Sequence, residues 1–172
     1  MKMTDILNLA SFYLGIDEGD GAARARLLKC ANLAVNEICA DYYPLVRETE
    51  VDNLNGKVPY RELSRHRVLE VLSVKKGCSK VPFSAFPTCV KFGPGRATVR
   101  YTCLPGDLDE GGSAAIPERI GARVVAYGAA AEYCLLAGLF EEAAIWDRRY
   151  RDSLRAAQAK KGEIRIPARR WA

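Results

Sequence analysis

Histidine is almost absent from this chain: His66 is the only one in 172 residues. One imidazole excludes zinc sites built on two or more histidines, and the six cysteines offer no Cys-x-x-Cys pair in their place. His66 itself stands in Ser64-Arg65-His66-Arg67, between two arginines and with no evident partner for acid–base work. Long apolar runs are missing as well, and none approaches the roughly 18 residues a membrane-crossing helix needs. The opening MKMTDILNLASFYLGID has no signal-peptide cleavage site, and Asp5 and Asn8 interrupt its short apolar segment. That implies synthesis in the cytosol and no membrane partner. Gly93-Pro94-Gly95 lacks the lysine and following helix of a phosphate loop. Asp107, Asp109 and Glu110 lack the alternating oxygen ligands and closing glutamate of an EF-hand loop. With no converging set of titratable groups, neither an enzyme nor a metal or cofactor site is expected.

What is present is an ordinary globular composition, 49% hydrophobic and 27% charged. It suffices for one domain, 1–172, that buries about two-thirds of its unfolded surface. Cys30, Cys39 and Cys134 fall on apolar helical faces, where cysteine behaves as a small hydrophobe, and reduced thiols are expected in an unsecreted chain. The net charge of +5 is unevenly placed. From Arg148 to Ala172 nine basic residues face two acidic ones, so the preceding part of the chain is slightly negative. Such a basic end suits nucleic acid or an acidic protein surface.

Helical periodicity occupies both ends. Thr4 is placed to cap a short helix with Ile6, Leu7, Ala10, Tyr13 and Leu14 on its apolar side. A longer helix is predicted from about Ala22 to Tyr42, ended by Pro44. Near the other end, Pro117 opens a stripe of Ile120, Val124, Tyr127, Ala131 and Leu135, and Gly138 caps it. Phe140, Ala143, Trp146 or Ile145, Tyr150, Leu154 and Ala157 form the next stripe, so the two helices should fold back as an antiparallel hairpin. The small residues from Gly128 to Ala131 would admit a neighbouring helix closely. Tyr133, Phe140, Trp146 and Tyr150 would build an aromatic seam.

Between Leu45 and Leu104 the period drops to two. Asn55-Gly56 and Gly93-Pro94-Gly95 read as hairpin turns between short strands, and Val68–Lys75 as an apolar-rich strand. The fold class expected is α+β and mainly α: a four-helix bundle, two N-terminal and two C-terminal helices, with a small antiparallel β module inserted and an extended C-terminal tail. The parts are 1–43 helical, 44–104 β insertion, 105–161 loop and helical hairpin, and 162–172 tail. In the tail, Ile164 and Ile166 share one side of an extended strand with Arg165 opposite, followed by Arg169, Arg170 and Trp171. Apolar and basic residues alternating beyond the last helix suit docking on a partner, with Trp171 as anchor.

Three passages give the chain a familiar layout: the opening helices from Thr4 to Tyr42 before a β insertion; Val99-Arg-Tyr-Thr-Cys-Leu-Pro running through an acidic loop to Ile116-Pro-Glu; and Tyr127-Gly-Ala-Ala-Ala-Glu with Gly-Leu-Phe-Glu-Glu-Ala and Trp146-Asp-Arg-Arg-Tyr-Arg-Asp-Ser-Leu. In these it resembles the head–tail connector (adaptor) proteins of tailed bacteriophages. The resemblance implies a non-enzymatic virion protein located in the neck between head and tail. It would form a dodecameric ring beneath the portal, bind portal and tail proteins, and let DNA pass without sequence-specific binding. It also gives Ile164, Arg165, Ile166, Arg169, Arg170 and Trp171 a role as contacts to the portal or a neighbouring subunit. A nucleic-acid-binding module using the basic C-terminal end, and a tail-completion subunit, are the alternatives.

Overall fold

A computed structural model describes residues 1–17, 19–53 and 55–159, with side chains to Gln158. The tail residues Ile164, Arg165, Ile166, Arg169, Arg170 and Trp171 lie outside the described residues. Helices α1 (Met3–Leu14) and α2 (Gly21–Glu37) come first, and α2 runs on into a π-helical turn, Ile38–Tyr42. The β region follows: β1 (Leu45–Asn53), β2 (Lys57–Pro59), the single-turn helix α3 (Tyr60–Leu63), β3 (Val68–Lys76), β4 (Ser79–Val81), β5 (Phe83–Ala85), β6 (Cys89–Phe92) and β7 (Gly95–Cys103). Helices α4 (Ala122–Leu136) and α5 (Phe140–Ala159) complete the described chain.

The expected mainly helical four-helix bundle is not what forms. Among the described residues are five α-helices and seven strands, the strands in two antiparallel sheets ordered β1-β7-β3-β4 and β2-β6-β5. Strands β1, β3 and β7 are nine residues each; β7 buries Ala97, Val99, Tyr101 and Cys103 in alternation, and β3 adds Val71 and Val74. Val71, Val74, Ala97, Val99 and Tyr101 of the larger sheet pack with Val58, Val90 and Phe92 of the smaller one. The β region therefore owns a core of its own. α4 is a hub packed on α1, α2 and α5, because the run Gly128-Ala129-Ala130-Ala131 buries three faces of one helix at small radius.

Several local expectations also change. Asn55-Gly56 and Gly93-Pro94-Gly95 do not close hairpins: β1 pairs with β7 and β2 with β6, so each turn carries the chain from one sheet to the other. The tight hairpin is β3–β4, where Lys76 pairs with Ser79 across Gly77-Cys78 and Gly77 takes a φ of 56°. Thr4 caps nothing; Lys2 is the N-cap residue, and the Thr4 hydroxyl donates to the Glu110 carbonyl at 2.7 Å. The Pro117 segment is a turn, and α4 begins only at Ala122.

The acidic loop after β7 is held rather than free. Asn32 clamps the backbone of Leu108 on both sides, donating to its carbonyl and accepting from its amide at 2.9 Å each. Arg24 Nε meets both carboxylate oxygens of Glu110 at 3.0 Å, and Met3 N–H donates to Gly112 O. These contacts fix the passage between the β core and α4.

Candidate functional site

Among the described residues, His66 and the acidic and cysteine side chains form no common cluster. His66 is exposed in the loop after α3, and its ring lies so close to Gly106 that a Cβ there would collide with it. Glu110 is spent on Arg24, and among the described residues no group of three or more His, Cys, Asp or Glu could hold a metal ion. The cysteines are free thiols, four of them buried. Burial pushes the Cys30 thiol up to about 11, with Glu132 adding to it, and raises Cys39, Cys103 and Cys134 as well. Buried thiols held protonated in this way are poor nucleophiles. No described helix is long and apolar enough to cross a membrane.

Exposed apolar side chains do converge. α4 ends at a glycine turn: Gly138 takes a left-handed φ of 76°, and Leu139 N–H donates back to Cys134 O at 2.9 Å. Around that turn Leu135, Leu136, Leu139 and Phe140 all stand in solvent, with Leu136 71% and Phe140 70% exposed. Four large apolar residues exposed within six positions differ from the scattered exposed leucines of any surface. A second group lies on the β core. Leu69 and Leu72 fall at two register shifts of β3 against β7, and both are exposed, as is Val46 of β1.

Leu135 and Phe140 are the two residues of this cluster that helical spacing assigns to buried stripes. The six-residue run Leu135-Leu136-Ala137-Gly138-Leu139-Phe140 carried the contrary signal, since adjacent apolar residues across a helix end cannot all share one face. The aromatic seam is also differently composed. Tyr13, Tyr127 and Trp146 stack with ring centroids 5.3–5.7 Å apart, and Arg149 lies over Trp146 at 4.9 Å. Trp146 is thus the one residue of the expected seam with a ring partner there, and Tyr150 turns instead to Gly128 and Glu37.

Two of the four arginines of α5 are ion-paired within the helix. Arg151 pairs with Asp147 at 2.9 Å and Arg155 with Asp152 at 3.6 Å, while Arg149 is engaged by the indole. Among the described residues Arg148 is the one arginine of α5 left without a partner. No protein-family model and no curated protein sequence matches the chain.

Proposed function

We infer that this protein is a structural subunit that assembles with copies of itself into a ring, as the head–tail connector proteins it resembles do. The observation that carries the reading is the exposed apolar cluster Leu135, Leu136, Leu139 and Phe140 at the α4–α5 turn. A ring needs two different complementary surfaces on each subunit. The α4–α5 turn joins two helices and Val46, Leu69 and Leu72 stand on β1 and β3, so the chain exposes apolar side chains on both its helical and its β parts. In this reading the ring sits between portal and tail and DNA passes through it, and the tail residues from Ile164 to Trp171 contact the portal or the next subunit.

Sedimentation velocity on the purified full chain, alone and with a portal protein, tests the assembly. The expected result is a closed ring, formed alone or on the portal, that Leu136→Asp and Phe140→Asp each abolish while leaving the far-UV circular dichroism unchanged. A chain that stays monomeric in both settings would overturn the reading.

A further inference from the structure

The β core carries a second surface of a different kind. Arg61, Arg65 and Arg67 line an open groove of about 610 Å³ together with Tyr60 and Phe86, and no acidic side chain is among the residues that line it. All three arginines are exposed, and among the described residues none forms an ion pair or a side-chain hydrogen bond. Lys91 adds a fourth cation at the edge, its ammonium 4.7 Å from the centre of the Phe86 ring. Glu62 sits in the same helical turn but outside the lining, and Glu48 is engaged by Arg100 at 3.7 Å.

The segment bearing these cations is held at both ends. The Tyr101 hydroxyl donates to Leu63 O at 2.6 Å, and the Thr49 hydroxyl reaches the same carbonyl at 3.0 Å. Tyr60 N–H donates to Thr88 O at 3.1 Å, which ties α3 to the Phe86 side of the groove. Leu104 N–H donates to Arg67 O at 3.0 Å, and His66 N–H to Ser64 Oγ at 3.0 Å. The guanidinium groups therefore project from a backbone whose position is set before any ligand arrives, which lowers the ordering cost of binding.

Unneutralised guanidinium groups gathered on one surface raise the local positive potential, and their planar fork suits phosphate oxygens. Charge alone would also suit an acidic protein. The aromatic rings decide between the two, because a nucleobase presents a π face to Phe86 or Tyr60 and an acidic side chain does not. We propose that this groove binds single-stranded nucleic acid, with Arg61, Arg65 and Arg67 on successive phosphates and Phe86 against a base. The assignment needs only the monomer fold and does not depend on the ring.

Fluorescence anisotropy with a labelled oligodeoxynucleotide, titrated with the full chain between about 50 and 200 mM salt, tests it. Wild type is expected to bind, and the triple substitution Arg61→Ala, Arg65→Ala, Arg67→Ala to weaken binding at least tenfold. Each lost phosphate contact on a single strand lowers the slope of log K against log salt by about 0.7, so the triple variant should lose about 2. Phe86→Ala should weaken the single strand more than a duplex of equal length. Three exposed and unpaired arginines leave the fold unchanged, which an identical melting curve checks. Failure of wild type to bind, or an unaltered affinity and slope in the triple variant, overturns the proposal. So does binding lost only when Arg165, Arg169 and Arg170 are replaced, or equal Arg-dependent capture of polyglutamate.

Discussion

Gly128 shows how one missing side chain shapes the helical core. A Cβ built there would lie 2.9 Å from the Ala34 methyl and 3.0 Å from the Tyr150 ring, so α4 touches α2 and α5 almost backbone to side chain. Alanine would improve helix propensity by about 1 kcal/mol, but overpacking a filled core costs about 1–3 kcal/mol. Gly128→Ala should therefore melt lower, by about 2–4 °C for each kcal/mol lost in a chain of this size; a higher melting temperature would mean that α2 or α5 can retreat. Glu37 is a second case of fine balance. The Tyr150 hydroxyl lies 3.4 Å from its carboxylate, yet burial pushes the Glu37 carboxyl above its ordinary range, and Asp41, Glu132 and Asp147 add to the shift. A raised value in the fold means that folding favours the protonated form, so stability is lost as pH rises through that value. Glu37→Gln keeps the hydrogen-bond acceptor without the charge. It should melt higher than wild type at neutral pH, and the difference should close as pH falls to the ordinary carboxylate range of about 4. Thermal melts across that range check it, and a variant that melts lower at pH 7 contradicts the sign.

The elements of the chain hold together through a few polar clamps as well as through their apolar faces. Asn32 on α2 is the clearest, since it pairs with the Leu108 backbone as a second strand would. Asn32→Ala strands a buried amide and carbonyl and should cost about 1–3 kcal/mol. Hydrogen exchange should show the Leu108 amide losing protection well before the α2 amides do; unchanged exchange there would show the loop to be held by Arg24 and Glu110 instead. Nothing in the local pattern around Asn32 announces this partner 76 residues away. The same distinction runs through the fold. Of the expected stripe on the last helix, Ala143, Tyr150, Leu154 and Ala157 are buried, as a 3.6-residue period aligns them, while Trp146 is half-buried and Phe140 and Ile145 are exposed. The alternation Ala97, Val99, Tyr101 and Cys103 was readable for the same reason with a period of two. Strand partners were not, because Asn55-Gly56 and Gly93-Pro94-Gly95 specify a turn without specifying which sheet receives the next strand. The apolar turn at Leu136 and Phe140 also escaped periodicity, since spacing assigns a face to a residue but does not say whether another element covers it. The arginine groove is assembled from α3, its following loop and the segment before β6, a juxtaposition made only by the sheets.

At the scale of the whole molecule the question is whether the helical and β cores unfold together. The thiols are placed to answer it. Cys30, Cys39 and Cys134 are buried in or beside the helical core and Cys103 in the β core, while Cys78 is exposed in the β3–β4 turn and Cys89 is half-buried. The two cores meet at the junction of the π-helical turn and β7, where Cys103 lies near enough to Cys39 to add to the burial that raises the Cys39 thiol. Val68 and Leu45 pair with Cys103 from either side, so the junction sits at the shared end of β1, β7 and β3, and opening it begins to unzip all three strands. No separate loss of the β core is then expected: the two cores form one cooperative unit. In native buffer a thiol reagent should label Cys78 first and Cys89 more slowly, sparing the other four. Across a guanidinium titration those four should become reactive at a single midpoint that coincides with the loss of helical circular dichroism. Reaction of Cys103 at a distinctly lower denaturant concentration than Cys30 would show two units, and would place the weak seam at the Cys39–Cys103 junction.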